Sequence, residues 1–222
     1  MLTAIMQLKH VFDLSATVWT QMPTWPTNPF PMITPVGIAA RDGYNIESYS
    51  SLTHAGTHVD APYHMLEEGT TVDNLGLDSL VGDCFCIDVH PGGREITGDM
   101  LGQKWREEYD GSILLISTGW SARRAFRRDF LYDFPGLSMD AAEFLVSHKV
   151  RTVGIDTLGI EPYDHKDFEV HRLLMKHETV IIEDLAGLSQ LVEGKRYLLV
   201  AAPLKLKDAS GAMARVLALD VY

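Results

Sequence analysis

Three imidazoles and one carboxylate fall within eleven residues in His54-Ala55-Gly56-Thr57-His58-Val59-Asp60-Ala61-Pro62-Tyr63-His64, at successive spacings of four, two and four. Imidazole nitrogen and carboxylate oxygen together are the donors that a divalent transition metal takes. Every offset among these residues is even, so in an extended chain all four side chains share one face. Gly56 lies on the same face and adds no side chain to block an approach. A helix serves less well: His54 and His58 would stack at i and i+4, but Asp60 would turn away from both. Gly56, Val59 and Pro62 are also poor helix formers. The spacing therefore predicts an extended, metal-binding segment. With nine histidines in 222 residues some clustering arises by chance. It is the joining of four ligand-type side chains with a glycine and a proline that sets this stretch apart.

The elements that must carry this segment read as α/β. Strands are predicted at His10–Leu14, Tyr44–Leu52, Asp83–Val89, Ile113–Ser117, Thr152–Ile155, Val180–Ile182, Tyr197–Ala201 and Arg215–Leu219, short runs rich in Val, Ile, Leu and aromatics. Helices are predicted at Asp99–Glu108, Ala122–Asp129, Ser138–Lys149 and Asp167–His177, with Ser138 as an N-cap. The N-terminal third is strand-rich and strands alternate with helices afterwards, which predicts one domain, residues 1–222, built on a mixed β-sheet flanked by helices. Met22–Pro35 holds five of the ten prolines, so it reads as an ordered, extended loop that presents Trp25 and Phe30 to a pocket or to the core.

Composition excludes several classes. The formal charge of −11 argues against nucleic acid and against an anionic membrane surface. No run approaches the ~18 apolar residues of a membrane span, and Met1–Phe12 lacks the basic start and apolar run of a leader. Two cysteines, Cys84 and Cys86, make no disulfide framework, so a reducing, cytoplasmic setting is expected, with both as small buried residues. Neither a Gly-x-Gly-x-x-Gly nor a Gly-x-x-x-x-Gly-Lys-Ser/Thr run occurs, so nucleotide chemistry has no support.

A second cluster is suggested by His171, inside a predicted helix, and Glu183, just past the apolar strand Val180-Ile181-Ile182. A carboxylate at the end of a buried strand wants a counterion, and strand ends are where open α/β sheets place their chemistry. Spacing alone does not join this pair to the first. His177, six positions after His171, faces away from it on a helix.

These residues together resemble the metal-dependent cyclase-family hydrolases, which include bacterial kynurenine formamidase and the isatin hydrolases. His54-Ala55-Gly56-Thr57-His58-Val59-Asp60-Ala61-Pro62-Tyr63-His64 carries the resemblance, with Trp25-Pro26, Thr118-Gly119-Trp120, Gly154-Ile155-Asp156-Thr157 and the pair His171 and Glu183 in support. The resemblance implies the swivelling β/β/α-like fold of that family. It implies that His54, His58 and Asp60 hold a first metal and that Asp60 bridges to a second, completed by His171 and Glu183. It makes His64 the catalytic acid/base, Trp25 a wall of the substrate pocket, and the cofactor one or two zinc or manganese ions per chain. It implies a homo-oligomer, a dimer or tetramer, acting on a small molecule.

Such a centre would hydrolyse an amide, because a bound divalent ion lowers the pKa of water from ~16 to about 7 and polarises the carbonyl. Trp25, Phe30 and Trp120 offer flat faces to an aromatic substrate. An aryl formamide such as N-formylkynurenine is the first expectation and a cyclic amide or ester such as isatin the second. A different class of reading is a non-catalytic module that a metal holds together. The absence of cysteine near the motif and the size of the chain weigh against it.

Overall fold

The computed structural model describes residues 7–221. The opening residues of Met1–Phe12, read above for a leader, lie in part outside that range. Among the described residues there are twelve strands: β1 His10–Asp13, β2 Met32–Gly37, β3 Ile46–Ser50, β4 His58–Asp60, β5 Val81–Asp88, β6 Glu95–Ile96, β7 Ile113–Ser117, β8 Gly136–Leu137, β9 Thr152–Ile155, β10 Val180–Glu183, β11 Arg196–Pro203 and β12 Gly211–Asp220. The main sheet runs β1-β12-β11-β5-β7-β9-β10-β4, and β12 pairs with β4 as well. Seven strands thus close into a barrel-like ring, with β1 added outside on β12. The neighbours β5, β7, β9 and β10 run parallel and the remaining pairings are antiparallel. The expected mixed sheet is therefore correct, and its closure is a feature that no run of residues announced.

Alternation along the strands builds two cores. Ile113 and Leu115 of β7, Val180 and Ile182 of β10, Val59 of β4 and both cysteines of β5 pack together inside the ring. Leu114, Ile116 and Ile181 point the other way, onto helices α3 Gly98–Gly102, α5 Met139–Ser147 and α6 Glu169–Lys176. The buried, unpaired thiols of Cys84 and Cys86 fit the small-residue role expected of them, and burial drives both pKa values far up. Two short helices, α1 Ala39–Asp42 and α2 Leu77–Leu80, and one further helix, α4 Arg128–Tyr132, complete the set.

Some predicted elements are shorter than their runs. Asp99–Glu108 divides into α3 and a single turn at Glu107–Tyr109. Ala122–Asp129 is not a helix: a turn covers Trp120–Arg123 and α4 begins at Arg128. The break falls at Arg124 (φ −51°, ψ 115°), whose guanidinium reaches across the fold to pair with Asp184 and to donate to Pro23 O at 3.2 Å. Ser138 stands at the start of α5, but its hydroxyl donates to Ile96 O and Asp140 rather than accepting from the helix. The segment Tyr44–Leu52 pairs as β3 with β2 in a separate two-stranded ribbon, not in the main sheet.

Candidate metal centre

The motif folds as a strand between two turns, which corrects the fully extended expectation. Only His58–Asp60 is strand; residues 53–57 bend and Pro62–His64 forms one helical turn led by proline. Gly56 makes the first reversal with φ +64°, a conformation that side chains resist, and a Cβ there would sit 3.1 Å from Val18 Cγ2. Within β4, Val59 enters the ring, so His58 and Asp60 point outward together. Register then sets Glu183 of β10 opposite His58, and α6 lays His171 over the same outer face.

Sequence distance collapses here. His54 Nδ1 lies 2.7 Å from Asp60 Oδ1, and His58 Nε2 lies 3.1 Å from the same oxygen. His58 Nε2 is 3.5 Å from Glu183 Oε2, and His171 Nε2 is 3.1 Å from Glu183 Oε1. Two three-residue donor clusters result, His54–His58–Asp60 and Asp60–His171–Glu183, with donor atoms within 4.8 Å of one another and Asp60 common to both. All five ligands read from the sequence meet at one place. His177 is exposed and takes no part, as expected.

Each imidazole of the two clusters has one nitrogen pinned and the other turned to the cluster, the arrangement that fixes a metal-binding tautomer. Ser210 Oγ holds His54 Nε2 at 2.8 Å, and the Gly56 carbonyl accepts from His58 Nδ1 at 2.8 Å. His171 Nδ1 donates to Glu161 in a very short contact. His64 differs. Its ring stacks on His54 at 4.0 Å between centroids and meets His171 at 6.1 Å, and among the described residues neither ring nitrogen has a hydrogen-bond partner.

Charge tells the same story. Burial lowers the His58 pKa, but the Asp60 and Glu183 carboxylates override it and raise the ring to about 9. Burial is likewise outweighed at His171, which Glu161 and Glu183 raise to about 10. Burial also opposes ionisation of Asp60, yet the His58 and His54 rings hold it well below the usual carboxylate range. Protons here balance buried carboxylates, the duty that a cation would assume. Asp60 Oδ2 is moreover buried with no hydrogen-bond partner, an orphan acceptor in the middle of nitrogen and oxygen donors. The residues fit a divalent ion. At His64, burial prevails and lowers the pKa to about 4, below the near-neutral value of a free imidazole, so its ring is neutral at pH 7.

A cavity of about 370 Å³ opens onto the cluster. Trp25 lines it, as read from the sequence, and so do Leu52, Met65, Leu158 and Phe168. Phe30 is 47% exposed and packs on Phe126, while Trp120 is buried against Phe130, so neither contributes to the wall. The loop after β9 adds two contacts that no motif marks. Its Ile160 N–H donates to Glu183 Oε1 at 2.6 Å, and its Glu161 is the partner of His171. A carboxylate before a proline, Glu161-Pro162, was the one mark of this loop in the sequence.

The chain is similar to known proteins in sequence and in fold. A family model described as "Putative cyclase" matches residues 12–162. A protein of Bacillus thuringiensis (strain Al Hakam) named kynurenine formamidase is 30% identical over 213 residues, covering 95% of this chain and 97% of that one. Among solved structures, a potential metal-dependent hydrolase with cyclase activity superposes with a TM-score of 0.81 at 35% identity, covering 95% of this chain and 98% of the other. Isatin hydrolase A from Labrenzia aggregata, bound to benzyl benzoate, superposes with a TM-score of 0.85 at 25% identity, covering 96% and 94%. The chain belongs to the cyclase family.

Proposed function

We propose that this cyclase-family chain is a metal-dependent amidohydrolase that cleaves an aryl formamide, N-formylkynurenine first among them, to the arylamine and formate. The observation that carries the reading is Asp60: one buried carboxylate shared by two donor clusters, with an oxygen left unpaired, beside an aromatic-walled cavity. His54, His58 and Asp60 would hold one ion, and Asp60, His171 and Glu183 a second. When bound, zinc or manganese supplies Lewis acidity, which makes water nucleophilic at neutral pH and draws electron density from the carbonyl.

The chain's own residues do the rest. Neutral His64, standing over His54, accepts the proton of the attacking water and returns it to the departing nitrogen. Asp60 steadies the ring while it is charged. Trp25 and Phe168 hold the aryl group flat, with stacked pairs contributing ~0.5–1.5 kcal/mol beyond burial. Leu52, Leu158 and Met65 keep the walls apolar and limit water. A cyclic aryl amide of the isatin kind is the second reading, favoured by these flat apolar walls.

The same reading makes the protein a homo-oligomer, a dimer or tetramer, of the cytoplasm, with a part in tryptophan catabolism. The β2–β3 ribbon supports the first point, since Val36, Ile46 and Tyr49 on its strands and Ile38 and Tyr44 in its connection are all exposed, and a two-stranded ribbon is marginal in water. The buried free thiols support a reducing setting. The deciding experiment is a substrate panel on protein loaded with zinc or manganese: N-formylkynurenine, formanilide, isatin and an aryl ester. Turnover of a formyl-arylamine is expected. No turnover of any formyl-arylamine by fully loaded protein refutes the formamidase reading.

A further inference from the structure

The three pins on the ligating imidazoles are unequal. Ser210 and the Gly56 carbonyl are neutral, whereas Glu161 is a carboxylate only 1% exposed. Glu161 does more than hold one ring. Its Oε1 also accepts the backbone N–H of His171 at 3.2 Å, and its Oε2 that of Val170 at 3.4 Å. Those amides belong to the first turn of α6, whose own cap residue, Phe168, offers no side-chain bond and sits at φ 51°. One carboxylate thus caps the helix and orients the imidazole that the helix delivers. Its neighbour Ile160 grips Glu183 through N–H···Oε1 at 2.6 Å. The loop after β9 therefore holds both ligands that belong to the second cluster alone, and neither that belongs to the first.

From this asymmetry we propose that Glu161 is a positioning residue that sets ion affinity at the Asp60–His171–Glu183 cluster and leaves the His54–His58–Asp60 cluster untouched. The mechanism is local. A carboxylate on Nδ1–H keeps the proton there, so that Nε2 presents its lone pair, and it makes that nitrogen a stronger donor. The outer oxygen of Glu161 faces His165, whose Nδ1 is 3.6 Å away and whose Nε2 contacts Glu95 at 3.2 Å. The clamp is thereby itself held from the surface side. The inference rests on the metal reading above, and the two can fail separately.

The test is calorimetric titration of the ion-free protein with Zn2+, comparing wild type with E161Q. H54A and H171A identify which phase of the isotherm belongs to which cluster. In E161Q the phase abolished by H171A is expected to weaken 10–100-fold, the range for lost outer partners, with the phase abolished by H54A unchanged. If wild type takes a single ion that H171A abolishes, E161Q must weaken that ion by the same factor. Unchanged affinity in E161Q overturns the proposal, and so does equal weakening of both phases, or a single ion indifferent to H171A. A wild type that takes no ion at all overturns the metal reading instead. E161D and 15N spectra of the His171 ring guard against simple misfolding. E161D should restore part of the affinity, and E161Q should shift the Nδ1–H signature, its acceptor now a neutral amide oxygen, while the far-ultraviolet circular dichroism is retained.

Discussion

Replacing His64 by alanine should separate ion binding from turnover. His64 belongs to neither donor cluster, and neither of its ring nitrogens is pinned among the described residues. Its nearest ring contact with the centre is the stack on His54 at 4.0 Å, which contributes ~0.5–1.5 kcal/mol. Losing that contact costs some stability and leaves the His54 nitrogens on Ser210 and Asp60. Loss of a general acid/base costs a further 10²–10⁴-fold in rate, about 2.7–5.4 kcal/mol of barrier. The second figure exceeds the first severalfold, so the variant should be folded, loaded and nearly inactive. The assay is kcat on N-formylkynurenine alongside metal content by mass spectrometry, with H58A as the contrasting variant that loses both. A metal-free H64A would make His64 a ligand, and a kcat within tenfold of wild type would remove it from proton transfer; either result refutes the reasoning.

Ion loading should be pH-dependent in a defined direction. With rings raised to about 9 and about 10, His58 and His171 carry protons at pH 7 in the ion-free protein; an incoming ion displaces them, so affinity climbs as pH rises toward 9 and falls in acid. Calorimetry at pH 7 in two buffers of different ionisation enthalpy should reveal the released protons, and identical heats would contradict this. Gly211→Ala should destabilise by roughly 1–3 kcal/mol, because its Cβ would lie 2.6 Å from His54 Cε1 and 2.7 Å from the Val59 carbonyl; a thermal melt equal to wild type would show that β12 can yield there. Chelation should leave a folded, inactive protein that zinc or manganese restores, since both hydrophobic cores are built without any ligand residue. An unfolded stripped protein would favour a structural metal in a binding module.

Local pattern carried much of this molecule. Apolar runs marked β5, β7, β9 and β10, because strands buried on both faces need such runs, while the runs at β11 and β12 send one face into the ring core. The ligand set was legible because most of it sits in eleven consecutive residues. What escaped was set by contacts between distant segments. β4 is three residues long and closes the ring through partners 120 or more positions away, in β10 and β12. Ser210 and Glu161 have no motif, since each is defined by the nitrogen it meets. The helix expected at Ala122–Asp129 failed for the same reason: Arg124 gives up helical backbone for a buried pairing with Asp184, sixty residues on. Phe168 was missed as a wall because its left-handed backbone, φ 51°, turns it from the helix toward Trp25, 6.2 Å between centroids.

The closing of the ring and the assembly of the ion site are one structural event. β4 pairs with β10 and β12 along all three of its residues, and Val59 fills the ring while the same pleat sends His58 and Asp60 outward against Glu183 and under His171. The strand cannot take its place without burying Asp60 and Glu183, whose residue exposures are 1% and 6%. Unpaired buried carboxylates oppose folding, so the closure depends on imidazole protons or on a cation to balance them. The polar pairing also fixes register, because a one-residue slip of β4 would send the ligands into the apolar interior and Val59 out. The residues that would bind the ion therefore also specify how the barrel closes. A catalytic centre on a seam of this kind would be held in place before any substrate arrives, which is the condition under which fixed dipoles and ions lower a barrier most.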